Sequence, residues 1–326
     1  ALLVVVALAI VRRKDLFSVV MLSGIYGLLS ASFFVAMDAV DVAFTEASVG
    51  AGISTLLMFL AITMTERRDH SVRHKPWLAL IVVVVTGALL IYGTLDMPYF
   101  GSADAPIHVH VAPRYINDSM QEIGVINLVT SVLGSYRAFD TFGEVVVIFT
   151  AGVGVLALLS VSRRPENDAK IDALNVSMHE QHLILRIVIK ILIPFILLFA
   201  LYVQFHGDYG PGGGFQAGVI FAAAVILYSM LFGLSTARRV INQPLTQFIA
   251  ALGVLLYGSV GVVSLLNGGN FFDYNVLSDD PVAGQHLGIL LIEAGVGLTV
   301  ASVMIIIFFN FQGRKEYGQG QAKGDV

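Results

Sequence analysis

Four ionisable side chains sit inside long apolar runs of this chain: Glu46, Glu144, Lys190 and Glu293. A charge in a lipid-embedded segment is expensive, so such residues face a bundle interior or a wet cavity and are functional candidates by default. Their spacing adds to this. His182, Arg186 and Lys190 recur every four residues and share one face of a helix, running from one membrane surface inwards. His286 and Glu293, seven apart, also share a face, as do Asp140 and Glu144, four apart. Carboxylates, amines and imidazoles arranged in this way can pass protons or cations through intervening water. Plainer readings compete for some of them. Arg186 can snorkel to the headgroups, and Glu144 can be a first-turn acid favoured by a helix dipole. Lys190 and Glu293 lie too deep for either explanation, which leaves ion or proton transfer or a static buried pair.

These residues need spans to position them. The chain has 326 residues, 56% hydrophobic and 13% charged, with a mean hydropathy of +0.82. Soluble domains carry about 25% charged residues. Several apolar runs exceed the roughly 18 residues that cross a bilayer as a helix. They lack the period-two alternation of barrel strands, and in lipid the backbone must satisfy itself internally. The sequence therefore predicts an all-α polytopic transmembrane helix bundle of about nine spans: 1–11 (a partial one), 17–37, 42–64, 77–96, 141–161, 183–204, 215–234, 244–266 and 284–309. The stretch 122–136 reads as one amphipathic helix, interfacial or packed on the bundle, with Val125, Leu128, Val129, Val132 and Tyr136 opposite Asn127, Thr130, Ser131 and Gly134.

The basic residues alternate between connections. Fifteen of the nineteen Lys and Arg fall in one set: 12–14, 67–75, 163–170, 238–239 and the C-terminal tail. The opposite set holds Arg114 and Arg137 among many aspartates. The positive-inside rule predicts a cytoplasmic C-terminus. Polar joints at 65–75 and 162–178 divide the chain into modules 1–65, 76–162 and 178–310, followed by a Gln-, Gly- and Lys-rich tail, 311–326, expected to be disordered.

Other chemistries find little support. There is no cysteine, so disulfides, thiolate zinc sites and cysteine-bound clusters are excluded. Basic residues come in twos and threes, which is not a nucleic-acid stripe. The segment His206-Gly-Asp208-Tyr-Gly-Pro211-Gly212-Gly213-Gly214-Phe215-Gln216 is glycine-rich, but it follows no strand and lacks the phosphate-loop lysine, so no nucleotide or other cofactor is expected. It reads as an extracytoplasmic turn whose Pro211 opens a helix with an exposed positive end, or as an ion-access loop with His206 and Asp208 as titratable groups.

That segment, HGDYGPGGGFQAGVIFAAA at 206–224, followed by LLIEAGVGLTVAS at 290–302, resembles the B subunit of Mrp-type multisubunit Na⁺/H⁺ antiporters. Related modules occur in membrane-bound hydrogenases. DAVDVAFTEASVGAGISTLLMFLAI at 38–62 and NLVTSVLGSYRAFDTFGEVVVIFTAG at 127–152 resemble the C-terminal region of the large Mrp A protein. The resemblance implies a multi-pass prokaryotic cell-membrane subunit that transports rather than catalyses. It would work beside large antiporter-like subunits on a path for Na⁺ and H⁺ in the lipid bilayer. It singles out Glu144 of FDTFGE and maps the glycine motif onto Gly212, Gly213, Gly214 and Phe215. Asp208 departs from the family pattern. Two rivals remain: an ion-pumping subunit of a redox complex, and a scaffold whose buried charges fix helix register.

Overall fold

The structure is a computed structural model that describes residues 1–65, 67–68, 76–99, 101–159 and 183–324. Among the described residues nine helices carry the fold: α1 (Leu2–Arg12), α2 (Leu16–Ala36), α3 (Val40–Ile62), α4 (Pro76–Thr94), α5 (Ala138–Leu159), α6 (Leu183–His206), α7 (Gly214–Phe232), α8 (Gln243–Leu266) and α9 (Pro281–Gly324). Eight are long and apolar enough to cross a membrane, and α1 is a shorter apolar helix. The described residues contain no β-strand, only one isolated bridge between Asp15 and Arg68. The chain is a multi-pass, all-α membrane protein.

Local chemistry accounts for where the helices start. Asp15 caps α2, accepting from Ser18 N at 3.1 Å and from Ser18 Oγ at 2.6 Å, which satisfies an orphan amide of the first turn. Its other oxygen accepts from Arg67 Nε at 2.9 Å. The α1–α2 turn and the exit of α3 are therefore joined on one membrane side. The Ser18 hydrogen bonds and then Arg67 hold the Asp15 carboxyl down at about 2.

The core is the packing of α9 on α7, α8 and α5. Tyr257 on α8 is fully buried and donates to Ala138 O at 2.8 Å, tying α8 to the start of α5. Its ring and those of Phe142 and Phe272 pack with centroids 5.4–5.7 Å apart, an arrangement aromatic quadrupoles favour. Where α7 meets α9 the backbones touch. A Cβ on Gly218 would stand 2.8 Å from Gly297 O, and such small-residue faces allow close association in lipid.

The second unit is α2 on α3. Gly27 lies so close to Gly50 that an added Cβ would be 2.7 Å from the Gly50 carbonyl carbon. Opposite this contact α3 widens into a π-helix over Ala47–Ile53. Such bulges loosen the backbone ladder and recur at functional sites.

Two expectations need revision. The stretch 122–136 is not one amphipathic helix: residues 123–127 break it, and helical turns resume over Leu128–Ser131 and, in π form, Val132–Tyr136. Its polar face points inwards, with Asn127, Thr130, Ser131 and Gly134 buried while Leu128, Val129 and Leu133 are exposed. Lipid can solvate the apolar face, whereas the polar one needs protein partners. The last helix also continues to Gly324, through the tail expected to be disordered. Once a span has nucleated a helix, each further residue adds a backbone bond without a new nucleation penalty.

Candidate functional site

A cavity of about 280 Å³ opens between α3, α5, α7 and α9 at the end opposite the Asp15–Arg67 link. Glu144 and Glu293, far apart in sequence, both line it, together with Gly212, Gly213, Gly214 and Phe215. The structure thus assembles two of the four buried-charge candidates and the glycine motif in one place.

The glycine segment is held by a dense set of hydrogen bonds. Asn127, 8% exposed, donates Nδ2 to Gly207 O and Gly210 O at 3.0 Å each and lies 3.3 Å from Asp41 Oδ1. Thr130 Oγ1 donates to Gly207 O at 2.7 Å, and Asn127 N to Asp208 O at 3.0 Å. His286 Nδ1 sits 3.6 Å from Asp208 Oδ2 and links the turn to α9. The His206 ring stacks on Tyr202 with centroids 4.9 Å apart. These contacts satisfy carbonyls that would otherwise be orphaned.

The segment in turn shapes the surroundings of Glu293. Gly213 has φ 108, a conformation open to glycine, and a Cβ there would lie 3.0 Å from Glu293 Oε1. A Cβ on Gly214 would collide with Glu293 O. From sequence, Pro211 is expected at the first turn of an exposed helix end. Instead α7 begins at Gly214, Pro211 lies in the preceding turn, and Gly213 and Gly214 are buried. The left-handed φ at Gly213 is incompatible with an earlier helical start. The positive end of α7 therefore faces the Glu293 carboxylate rather than solvent. Among the described residues Glu293 accepts no hydrogen bond and forms no ion pair.

Three polar residues that sequence reasoning missed belong to the same place. Gln216, 7% exposed, donates Nε2 to Thr45 Oγ1 at 2.9 Å, and Thr45 Oγ1 donates to Asp41 O at 3.0 Å. All three line the cavity. Gln216 ends the glycine motif and Thr45 precedes Glu46, but nothing in their spacing announces that α3 and α7 meet there. Glu46 lies apart: its carboxylate folds onto Gly50 of its own helix, in the π segment.

Lys190 and Arg186 are elsewhere. Both stand over the Phe232 ring, Lys190 Nζ at 5.4 Å and the Arg186 guanidinium at 5.0 Å, at the far end of α7. Lys190 is exposed. From Lys190 to His206 the helical rise is about 24 Å, so the Lys190–Glu293 pair entertained from sequence does not form. His182 lies outside the described residues.

A second, more open cavity of about 700 Å³ lies over the start of α5 and α9. Arg114 forms a two-pronged pair with Glu122 at 3.0 and 3.1 Å, and Tyr136 donates to the same carboxylate. Arg114 holds the Glu122 carboxyl below its usual range, while burial and then Glu122 push the Tyr136 phenol up to about 12.

Comparison with known proteins matches this architecture. Residues 1–67 match the MbhD family, the D component of MBH, and residues 73–175 match the MbhE family, its E component. Residues 184–306 match the domain related to the MnhB subunit of Na⁺/H⁺ antiporter. A Rhizobium meliloti (strain 1021) protein, described as the A/B component of a probable K(+)/H(+) antiporter, is 26% identical over 89% of this chain and 31% of its own length. A Staphylococcus aureus (strain Newman) protein, described as the mnhB2 component of an antiporter, is 29% identical over 42% of this chain and 98% of its own. In the solved Mrp complex from Dietzia sp. DQ12-45-1b, one chain superposes with a TM-score of 0.72 at 25% identity, over 95% of this chain and 34% of that one. A chain of the archaeal membrane-bound sulfane sulfur reductase, a respiratory membrane complex, matches with a TM-score of 0.51 at 28% identity, over 72% and 97%. This chain spans about a third of the Rhizobium and Dietzia chains. In order along the chain, a segment matching MbhD and a segment matching MbhE precede a domain related to the MnhB subunit of Na⁺/H⁺ antiporter, an arrangement similar to that of the Mrp-complex chain.

Proposed function

We propose that this chain is a membrane subunit of a multisubunit monovalent cation/proton antiporter, and that the cavity holding Glu144 and Glu293 forms part of its ion or proton path. One observation carries the reading: Glu293, a carboxylate without a hydrogen-bond partner among the described residues, faces a cavity inside the bundle that is lined mostly by apolar side chains, beside the glycine motif and a second acid. An intramembrane acid placed so is costly unless it exchanges a proton or a cation. Glu144 is exposed on the α5 surface, so the route leaves the chain sideways and a neighbouring subunit completes it. Similarity to the Mrp complex and to antiporter subunits supports the same partner class, large antiporter-like subunits. The asymmetry of basic residues supports a cell-membrane orientation with the cytoplasm on the side of 12–15, 67–68 and the C-terminus.

The test is Glu293→Gln and Glu144→Gln in the assembled complex, with cation-dependent ΔpH followed by a pH-sensitive dye in everted vesicles. Assembly with loss of cation-dependent proton movement is expected. Parent-like transport by both variants at every pH sinks the reading, and failure to assemble favours the scaffold.

A second reading is an ion-pumping subunit of a redox complex, favoured by the match to the sulfane sulfur reductase chain over 97% of that chain's length. Identification of co-purifying subunits separates the two: redox subunits support this alternative, and antiporter subunits alone oppose it.

A further inference from the structure

Arg186 and Lys190 are the cationic groups that the cavity leaves unexplained. They lie one turn apart on α6 and flank one aromatic ring, with no ion pair or hydrogen bond to either among the described residues. Arg186 Nε is buried without a hydrogen-bond partner. Side chains four apart on a helix are about 5–6 Å apart at their Cβ atoms, so two like charges are held together with no acid paired to either among the described residues.

Their depth is informative. With His206 at the outer boundary of a hydrocarbon layer about 30 Å thick, Lys190 lies about 24 Å across and Arg186 about 30 Å. Phe232, about 27 Å from the start of α7 by the same rise, is level with both. Arg186 is then at the headgroup boundary, and the Lys190 stem reaches it by extending along the helix. Beside the pair runs a stripe of exposed apolar side chains, Ile187, Ile191 and Phe195, which points towards the membrane centre.

We infer that Arg186, Lys190 and Phe232 form a binding site for the phosphate of an anionic phospholipid whose acyl chains lie on the α6 stripe. The guanidinium supplies planar, two-pronged donation and the ammonium a point charge. Phe232 holds both cations in place from behind through its ring face. The apolar stripe distinguishes a lipid from free phosphate, and two positive charges unpaired with any acid among the described residues favour phosphatidylglycerol over the zwitterionic phosphatidylethanolamine. The orientation proposed above assigns the lipid to the cytoplasmic leaflet; the binding itself does not depend on transport.

The experiment is native mass spectrometry of the intact, delipidated complex titrated with phosphatidylglycerol, phosphatidylethanolamine or inorganic phosphate. Wild type is compared with Arg186→Gln/Lys190→Gln and with Lys190→Arg. Each cation near the surface contributes enough that the double variant is expected to hold phosphatidylglycerol roughly thirtyfold more weakly. Lys190→Arg should keep the binding, which separates lost charge from a damaged fold. Inorganic phosphate should not displace the lipid. Equal phosphatidylglycerol binding by wild type and the double variant overturns the site, as does displacement by free phosphate. A photo-crosslinker at Ile187 should capture lipid; capture of another subunit instead also overturns it. None of these readouts requires antiport activity, so failure here leaves the proposed function standing, and the reverse.

Discussion

Gly218→Ala should separate α7 from α9 and destabilise the chain more than any comparable change on α4. The Cβ it adds would stand 2.8 Å from Gly297 O, 2.9 Å from Val300 Cβ and 3.1 Å from Ala301 N, where ordinary contact begins at 3.4 Å. Two of these neighbours are backbone atoms of a helix packed on three others, so none can swing aside. The helices must part locally by about half an ångström, and overpacking of this kind costs about 1–3 kcal/mol. Gly87 on α4 is the internal control. A Cβ there meets nothing within 4 Å, so Gly87→Ala leaves packing alone and gains up to about 1 kcal/mol of helix propensity. The difference expected between the two variants is therefore about 1–4 kcal/mol. Thermal challenge of the detergent-solubilised complex, with the surviving fraction read by size-exclusion chromatography, measures it. Equal stability of the two variants, or a Gly218→Ala protein as stable as wild type, refutes the close approach of α7 and α9.

Asn127→Ala removes donors to two carbonyls of the glycine turn; leaving buried groups unsatisfied costs about 1–3 kcal/mol each, and the same thermal assay should register it. The Asp15 carboxyl, held down at about 2, lies below its unfolded value near 4. Its stabilising effect is therefore present above about pH 4 and lost as pH falls from there towards 2; the protection factor of the Ser18 amide should fall over that window, whereas in Asp15→Asn, whose amide oxygen still caps the helix, it should not change with pH. Single cysteines introduced by Arg13→Cys and Asp279→Cys should react with an impermeant maleimide from opposite membrane faces, Asp279→Cys from outside. Labelling of both from one face contradicts the orientation.

The spans were legible because a bilayer leaves one solution for a long apolar run. The α1–α8 helices and the start of α9 fall close to their expected positions. What was not legible depends on which helix faces which. Glu293 and Lys190 were paired on chemistry alone, since each is an ionisable residue inside a span. The structure puts them near opposite ends of α6, because Glu293 packs on the turn that follows that helix and Lys190 lies sixteen residues before the turn begins. The amphipathic pattern of 122–136 also leaves open which face turns inwards. A soluble protein buries its apolar face, whereas here the apolar face can meet lipid and the polar one must be enclosed.

The arrangement of polar groups along the membrane normal limits what the chain can do by itself. Glu144, Glu293, Gln216, Thr45 and Asp41 gather around one cavity at the end opposite the Asp15–Arg67 link. Below it α9 buries Val300, Val303, Ile305, Ile306, Phe308 and Phe309, and of the polar side chains buried among them, Thr299, Ser302 and Asn310, Thr299 and Asn310 donate back to carbonyls of their own helix. A hydrated column cannot persist through close-packed side chains of this kind, since water needs polar partners to occupy a cavity. Among the described residues, an ion or proton that reaches Glu293 from the cavity end meets no continuous wet route down the middle of this bundle to the end marked by Asp15 and Arg67. The opening that remains is lateral, past Glu144 on the exposed face of α5. Under the proposed function the cavity is half a route with a charged group at its edge, which requires a neighbour to complete it. On this reading, single-subunit liposomes should show no antiport even with every residue of the cavity intact, and activity should return only with the partner that covers α5. Antiport by the isolated chain would mean that the apolar plug opens and that the lateral exit is wrong.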